Sequence, residues 1–144
     1  MNSISTRIII RAHIEKVWDV FTDYDSFDEW NPLIKSFEGS PAVGQKIKVV
    51  LQLPNSKPMT FKPAIQVYKI SEEISWLGNL MIPGLFDGKH TFKFEKIDDS
   101  TTLFIHEESF SGILLPFIWN SINDNTKKGF ELMNEALKKR CEEQ

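Results

Sequence analysis

The chain has 144 residues, of which 41% are hydrophobic, and a formal net charge of −3 at pH 7. This length suits one domain that buries a core without disulfides or metals, so we predict a single domain over residues 1–144. The slightly negative charge supplies no basic field for phosphate groups, which argues against nucleic acid as a partner.

Cysteine content and hydropathy limit the cellular setting. Cys141 is the only cysteine, so it cannot form an internal disulfide, and we interpret it as an incidental thiol. No cofactor is predicted. No run reaches the roughly 18 apolar residues that a membrane span needs, and residues 1–15 contain no signal-peptide core. We therefore expect a soluble, unprocessed protein of the cytoplasm.

The first thirty residues predict one strand and two short helices. Residues 4–10 alternate between inward and outward side chains, which is typical of a strand with one buried face. Helical spacing then marks an amphipathic helix through Ile14, Val17, Trp18 and Phe21. A second short helix buries Phe27 and Trp30 and ends before Pro32, because the proline ring restricts the preceding residue.

Five further strands are predicted, at residues 47–53, 59–67, 72–80, 88–97 and 101–111. A turn at residues 54–58 separates the first two, and a turn at residues 98–100 joins the last two. Pro63 cannot donate a ladder hydrogen bond, so we expect an edge or a bulge within the strand at 59–67. Curvature of the sheet is expected to begin there.

The final helix is predicted to begin near Pro116, whose fixed φ suits a first helical turn, and to end at about Arg140. At about 100° per residue, one stripe contains Leu115, Ile118, Trp119, Ile122, Thr126, Gly129, Phe130, Met133, Ala136 and Leu137. The small residues Thr126 and Gly129 are unusual at its centre. Either the helix approaches the sheet closely there, or the small residues leave room for a ligand.

Several segments together resemble a known superfamily over essentially the whole chain. They are Val17-Trp18 to Asp23, Trp30-Asn31-Pro32, Trp76, His90 to Phe94, His106 to Gly112, and Gly129 to Lys138. In this combination and order they resemble the START-like (SRPBCC) superfamily, the polyketide cyclase/dehydrase group.

The resemblance implies an α+β helix-grip fold. In this fold a seven-stranded antiparallel sheet curves around the long C-terminal helix, with two short helices after strand one and a hydrophobic cavity. The resemblance does not imply one activity, since similar proteins include lipid and sterol carriers, hormone receptors, aromatases and hydrolases.

Polar residues occur on the inward faces of two neighbouring strands. Side chains of one parity share a face, which groups Phe104, His106, Glu108 and Phe110 on one strand and His90, Phe92 and Phe94 on the other. A short turn at Asp99 would set His90 opposite Glu108. Such a pair can orient a polar ligand group or act as general acid and base, so these two residues are the catalytic candidates.

Other interpretations of the polar residues stay open. They can form a satisfied hydrogen-bond network, or Glu108 can turn outward if Leu103 and Ile105 occupy the inner face. Metal binding by His90, His106 and Glu108 is disfavoured, because the chain has no helical pair of histidines and no cysteine partner. No metal site is therefore predicted.

Two connecting loops, at residues 80–86 and 113–117, are unusually apolar. Three interpretations are open. The loops can form the lips of the cavity mouth and close over an apolar ligand, they can form a self-association surface of a homodimer, or they can simply be packed loops.

We predict that the chain binds a small hydrophobic or amphipathic molecule between the sheet and the final helix. The predicted ligand-binding residues are Met59, Phe61, Trp76, His90, Phe92, Phe104, His106, Glu108, Phe110, Thr126, Gly129, Phe130 and Met133. Two alternatives belong to other classes of protein. One is a cyclase- or hydratase-type enzyme that uses His90 and Glu108, and the other is an interaction module that docks through its apolar loops.

Overall fold

Eight strands and three α-helices follow one another in residues 2–79 and 82–143, which the computed structural model of the protein describes. The elements are β1 (Asn2–Ile10), α1 (Ile14–Thr22), a 3-10 turn (Tyr24–Ser26), α2 (Phe27–Trp30), β2 (Ile34–Glu38), β3 (Lys48–Leu51), β4 (Met59–Phe61), β5 (Ala64–Lys69), β6 (Glu73–Asn79), β7 (Asp87–Asp98), β8 (Thr101–Ser111) and α3 (Leu115–Glu142). No helix in the described ranges is both long and apolar enough to cross a membrane.

The strands form two antiparallel sheets that are joined at one place. The larger sheet has the order β1-β8-β7-β6-β5, and the smaller has the order β2-β3-β4. At the junction, the Ile47 amide donates to the Pro63 carbonyl and the Ile65 amide donates to the Gln45 carbonyl, each at 2.9 Å. The sheets therefore curve as one surface around α3, and the predicted helix-grip fold is confirmed.

The number of strands differs from the predicted seven. The single strand expected at 59–67 is wrong, because the chain leaves one sheet after Phe61 and enters the other at Ala64, with Pro63 between them. This break fits a residue that has no amide hydrogen to donate. The strand β2 had not been located, and it begins where Asn31 Oδ1 accepts hydrogen bonds from the amides of Leu33 and Ile34.

One end of the fold is filled with aromatic rings. Phe21 of α1 is fully buried, and its ring centroid lies 4.8 Å from that of Phe92 and 5.8 Å from that of Phe104. Trp18 packs edge-on against Phe94 at 5.1 Å. Fully burying one such side chain contributes about 1.5–3 kcal/mol, so α1 closes this end of the sheet firmly.

The long helix α3 packs unevenly along its length. From residue 129 onward the buried positions are Gly129, Phe130, Met133, Asn134, Leu137 and Cys141. Before residue 129 only Leu115 and Thr126 are buried, and the intervening turns expose polar residues such as Asn120 and Asp124. The C-terminal half therefore grips the sheet, while the N-terminal half lies less deeply.

Gly129 marks the close approach of α3 to the smaller sheet. A Cβ atom built on Gly129 would lie 3.1 Å from Leu53 Cδ2 and 3.3 Å from Leu33 Cδ1. Both distances are shorter than an ordinary carbon–carbon contact. Of the two explanations for the small residues, close packing is therefore the correct one at this position.

This contact predicts the effect of a larger side chain. Gly129→Leu should lower the free energy of unfolding by about 1–3 kcal/mol, because the new atoms overpack the contact with Leu33 and Leu53. The control is Lys128→Leu, which adds leucine at an exposed neighbouring position and should change stability by less than about 0.5 kcal/mol. Urea unfolding measures both variants, and equal values for the two would contradict the close approach.

Candidate functional site

A cavity of about 230 Å³ lies between the two sheets and the N-terminal half of α3. Among the predicted ligand-binding residues, those on its walls are Met59, Phe61, Trp76, His90, Glu108, Phe110, Thr126 and Phe130. Wall residues absent from that prediction include Leu33, Val49, Leu51, Leu53, Phe86 and Ile122. The sequence contained a signal for three of these residues, because Leu51 and Leu53 share the inward parity of β3 and Ile122 belongs to the apolar stripe of α3.

Five predicted wall residues lie outside the cavity wall. They are Phe92, Phe104, His106, Gly129 and Met133. The prediction from strand parity that Phe92, Phe104 and His106 face inward is correct, but side chains of α1 and of the C-terminal half of α3 pack against them and fill the space there. Gly129 is covered by Leu33 and Leu53, so the expectation that it leaves room for a ligand is wrong.

The predicted register of the two central strands is confirmed. His90 pairs with Glu108, Phe92 with His106, and Phe94 with Phe104. Phe104 and Phe110 belong to the core cluster and Glu108 lines the cavity, so the inner face carries the predicted parity; Ile105 is also buried but has the opposite parity, and Glu108 does not turn outward.

Two imidazole rings form the polar centre of the site. His90 Nε2 lies 2.7 Å from His106 Nε2, and both side chains are almost completely buried. Aromatic rings enclose the pair, since His106 stacks on Phe130 at 3.9 Å and His90 stacks on Phe92 at 4.6 Å. A hydrogen bond at this distance requires one of the two facing nitrogens to carry a proton and the other to accept it.

Asn134 and Thr6 complete the polar centre and connect α3 to β1. His106 Nδ1 lies 2.9 Å from Asn134 Oδ1, and Asn134 Nδ2 donates to Thr6 Oγ1 at 2.8 Å. Thr6 Oγ1 in turn donates to the His106 carbonyl oxygen at 2.9 Å. The sequence analysis missed Asn134, although a polar residue beside Phe130, Met133 and Leu137 on the helix was an available signal.

This chain of hydrogen bonds assigns the tautomer of each histidine. The Thr6 hydroxyl proton is used on a carbonyl, so Thr6 Oγ1 accepts from the Asn134 amide and Asn134 Oδ1 must accept from His106 Nδ1–H. Neutral His106 then has a bare Nε2, which accepts from His90 Nε2–H. Neutral His90 is left with a bare Nδ1, and this atom lies 3.9 Å from Glu108 Oε1.

Glu108 lies on the cavity wall beside a glycine. Its side chain is only 16% exposed. A Cβ atom built on Gly88 would collide with the Glu108 carboxyl group, so glycine makes room for that group at this position. The separation of 3.9 Å from His90 Nδ1 exceeds a hydrogen bond, which leaves both polar groups without a direct bond to each other.

Burial controls the protonation of these groups. Burial raises the pKa of Glu108 to about 8. Burial lowers the pKa of His106 to about 3, although its bond to Asn134 opposes the shift, and burial followed by repulsion from His106 holds the pKa of His90 well below its ordinary value. At pH 7 both imidazoles are therefore neutral, and Glu108 is mostly a neutral acid.

The site can present one hydrogen-bond donor and one acceptor within an apolar enclosure. The donor is the protonated Glu108 carboxyl group, and the acceptor is His90 Nδ1. Within residues 2–79 and 82–143, no three His, Cys, Asp or Glu side chains are arranged to hold a metal ion.

The two apolar loops meet near the cavity. The Ile113 amide donates to the Gly84 carbonyl at 3.1 Å, and Phe86 lines the cavity while stacking on Phe110 at 5.8 Å. Ile113 and Phe117 are 72% and 82% exposed and lie outside the cavity wall. Leu80 and Met81 belong to the predicted lip but lie outside the described residues. A closing motion and self-association both stay predictions.

The protonation of Glu108 predicts how stability depends on pH. A carboxyl pKa raised from 4.5 to about 8 on folding means that stability is lost as the pH rises between these values. Glu108→Gln removes this loss, so its stability relative to the wild type should be several kcal/mol greater at pH 8.5 than at pH 5. Urea unfolding at both values measures this difference. His90 and His106 are present in both proteins, so their contribution to the pH dependence cancels in the comparison. If the free energy of unfolding depends on pH identically in both proteins, the pKa of Glu108 is not raised by folding.

The chain matches the family model described as polyketide cyclase/dehydrase and lipid transport over residues 1–142. No curated protein sequence matches it significantly. Similar solved structures include the Zhui aromatase/cyclase of a Streptomyces species, at a TM-score of 0.78 and 12% identity, with 98% of this chain and 93% of that chain covered. A START superfamily protein of Mycobacterium smegmatis matches at 0.76 and 16% identity, with 98% and 97% covered.

A hypothetical protein of Helicobacter pylori is also similar, at a TM-score of 0.78 and 13% identity, with 97% of this chain and 88% of that chain covered. At these identities the structures establish a shared fold, and the family match establishes membership. The chain belongs to the polyketide cyclase/dehydrase and lipid transport family, with the helix-grip fold of START proteins.

Proposed function

We propose that the protein binds a compact, largely apolar molecule in the cavity between the sheets and α3, with one polar group of the ligand at His90 and Glu108. The cavity itself carries this proposal, because most of its wall is apolar while two neutral polar groups face it without bonding to each other. Family membership supports a hydrophobic ligand.

The size of the cavity narrows the class of ligand. Pockets for drug-sized molecules commonly have about 300–1,000 Å³, and this cavity has about 230 Å³. A molecule with one or two rings suits that volume better than a long-chain lipid does. Aromatic walls from Trp76, Phe110 and Phe130 favour a flat ligand, since ring faces and edges attract one another.

Filling the cavity tests the proposal. Thr126 lines the cavity and is buried, so Thr126→Phe should occupy the ligand space and weaken binding of naphthalene at least about tenfold. Thr126→Val keeps the shape of the side chain and should bind naphthalene like the wild type. Naphthalene titration followed by protein NMR measures each affinity, with circular dichroism as a check on folding. Equal affinity in a folded Thr126→Phe protein would place the ligand elsewhere.

A second candidate function is general acid–base catalysis of dehydration. The observation that favours it is the neutral acid of Glu108 beside the bare Nδ1 of His90. In a β-hydroxy ketone, His90 would accept the proton next to the carbonyl, while Glu108 would protonate the departing hydroxyl group as water. The electron pair of the broken carbon–hydrogen bond then forms the new double bond as the carbon–oxygen bond breaks. His90 gains one proton and Glu108 loses one, so the total number of protons on the protein is unchanged.

The dehydration reaction has a direct optical test. 4-Hydroxy-4-phenylbutan-2-one loses water to give a conjugated enone, whose ultraviolet absorbance reports the rate. If the protein is an enzyme of this kind, Glu108→Gln should lower the rate about 10²–10⁴-fold. A wild-type rate no higher than that of Glu108→Gln would exclude this chemistry for the substrate and leave ligand binding as the function.

A further inference from the structure

We propose that the polar group of the ligand is a neutral hydroxyl, of an alcohol or a phenol, which donates to His90 Nδ1 and accepts from the Glu108 carboxyl group. This inference rests on the proposed binding function and names the chemistry of the bound group. Its origin is the hydrogen-bond chain behind the cavity, which leaves His90 with an acceptor and no donor on the cavity side.

The first step is that His90 cannot easily exchange its tautomer. A proton on His90 Nδ1 would require Nε2 of the same neutral ring to accept, and His106 would then have to donate from its own Nε2. His106 Nδ1 would lose its proton and face Asn134 Oδ1, which is also an acceptor, at 2.9 Å. Two facing acceptors in a buried site leave both groups unsatisfied, which is costly.

The second step is that Glu108 favours the neutral form. Within residues 2–79 and 82–143, no lysine or arginine nitrogen lies within 4.0 Å of its carboxyl group. Its nearest ionisable partner, His90, is itself buried and enclosed by Phe92 and Phe130. The carboxyl group therefore retains its proton at neutral pH and can donate it in a hydrogen bond.

The third step is the geometry of a shared partner. His90 Nδ1 and Glu108 Oε1 are 3.9 Å apart, so an oxygen atom beside the line between them can lie about 2.8 Å from both. That oxygen must donate one hydrogen bond and accept another. A hydroxyl group does both, whereas a ketone only accepts and a carboxylate adds a charge that an apolar cavity disfavours.

The tautomers themselves are measurable without any ligand. Ring-nitrogen NMR shifts of the wild-type protein should show a bare Nδ1 on His90 and a bare Nε2 on His106. Asn134 lies outside the cavity wall, and Asn134→Leu removes the acceptor that orders the chain. In this variant the two tautomers should mix. A wild-type protein with the opposite tautomers, or with charged rings at pH 6.5, would overturn the proposal.

Binding of matched two-ring probes tests the chemistry of the ligand group. At pH 6.5, 1-naphthol should bind about tenfold more tightly than naphthalene, because two neutral hydrogen bonds are gained. It should also bind more tightly than 1-naphthoate and 1-naphthylmethylammonium. Tighter binding of the anion, by pairing with the cavity-lining Lys57 or with a charged His90, would overturn the inference, as would tighter binding of the cation.

A variant separates this inference from the proposed function. Glu108→Leu should bring the affinities for 1-naphthol and naphthalene closer together, because it removes the group that donates one of the two hydrogen bonds to the hydroxyl group. If the wild type binds both probes equally, the hydroxyl assignment fails and the hydrophobic cavity stands. If it binds neither probe, the proposed function fails as well.

Discussion

Burying two adjacent imidazole rings requires suitable partners for the ring nitrogens that face the core, and much of this structure follows from that requirement. His90 and His106 satisfy each other at 2.7 Å, but only if the outer nitrogen of His106 has an acceptor of its own. Asn134 supplies the acceptor and Thr6 orients Asn134. Strands β1, β7 and β8 and helix α3 are thereby held in one mutual arrangement.

The same arrangement determines which part of the interior is closely packed and which part contains the cavity. The C-terminal half of α3 bears Phe130, Met133 and Asn134 and is drawn onto the sheet. The N-terminal half has few buried positions, and the cavity lies beneath it, bounded by Thr126 and Ile122. The histidine pair lies at the border between these regions, so His90 contacts His106 on one side and borders the cavity on the other.

Much of the fold could be predicted from the sequence, because alternation and helical spacing are local signals. The parity of residues 88–97 and 101–111, with a short turn between them, was sufficient to place His90 opposite Glu108. The break at Pro63 was expected as an irregularity, yet the division into two sheets depends on pairing partners far along the chain. Alternation alone cannot specify those partners.

The candidate site was less accessible to sequence reasoning. Parity shows that Phe92 and Phe104 face inward, but whether inward space is filled depends on where α1 and α3 cross the sheet. Asn134 was missed because the helical stripe was defined by apolar and small residues. A buried polar residue gains meaning only when its distant partners, here Thr6 and His106, are known.

The link between Thr6 and Asn134 has a consequence for the order in which the protein matures. It joins residues separated by 128 positions, so β1 and the C-terminal half of α3 must both be in place before His90 acquires a fixed tautomer. Contacts of such long range carry a large loop-closure cost and form late. A chain still emerging from the ribosome can pair β7 with β8 but lacks the helix that orders the histidines. The proposed recognition of a polar ligand group therefore depends on the packing of α3 against β1.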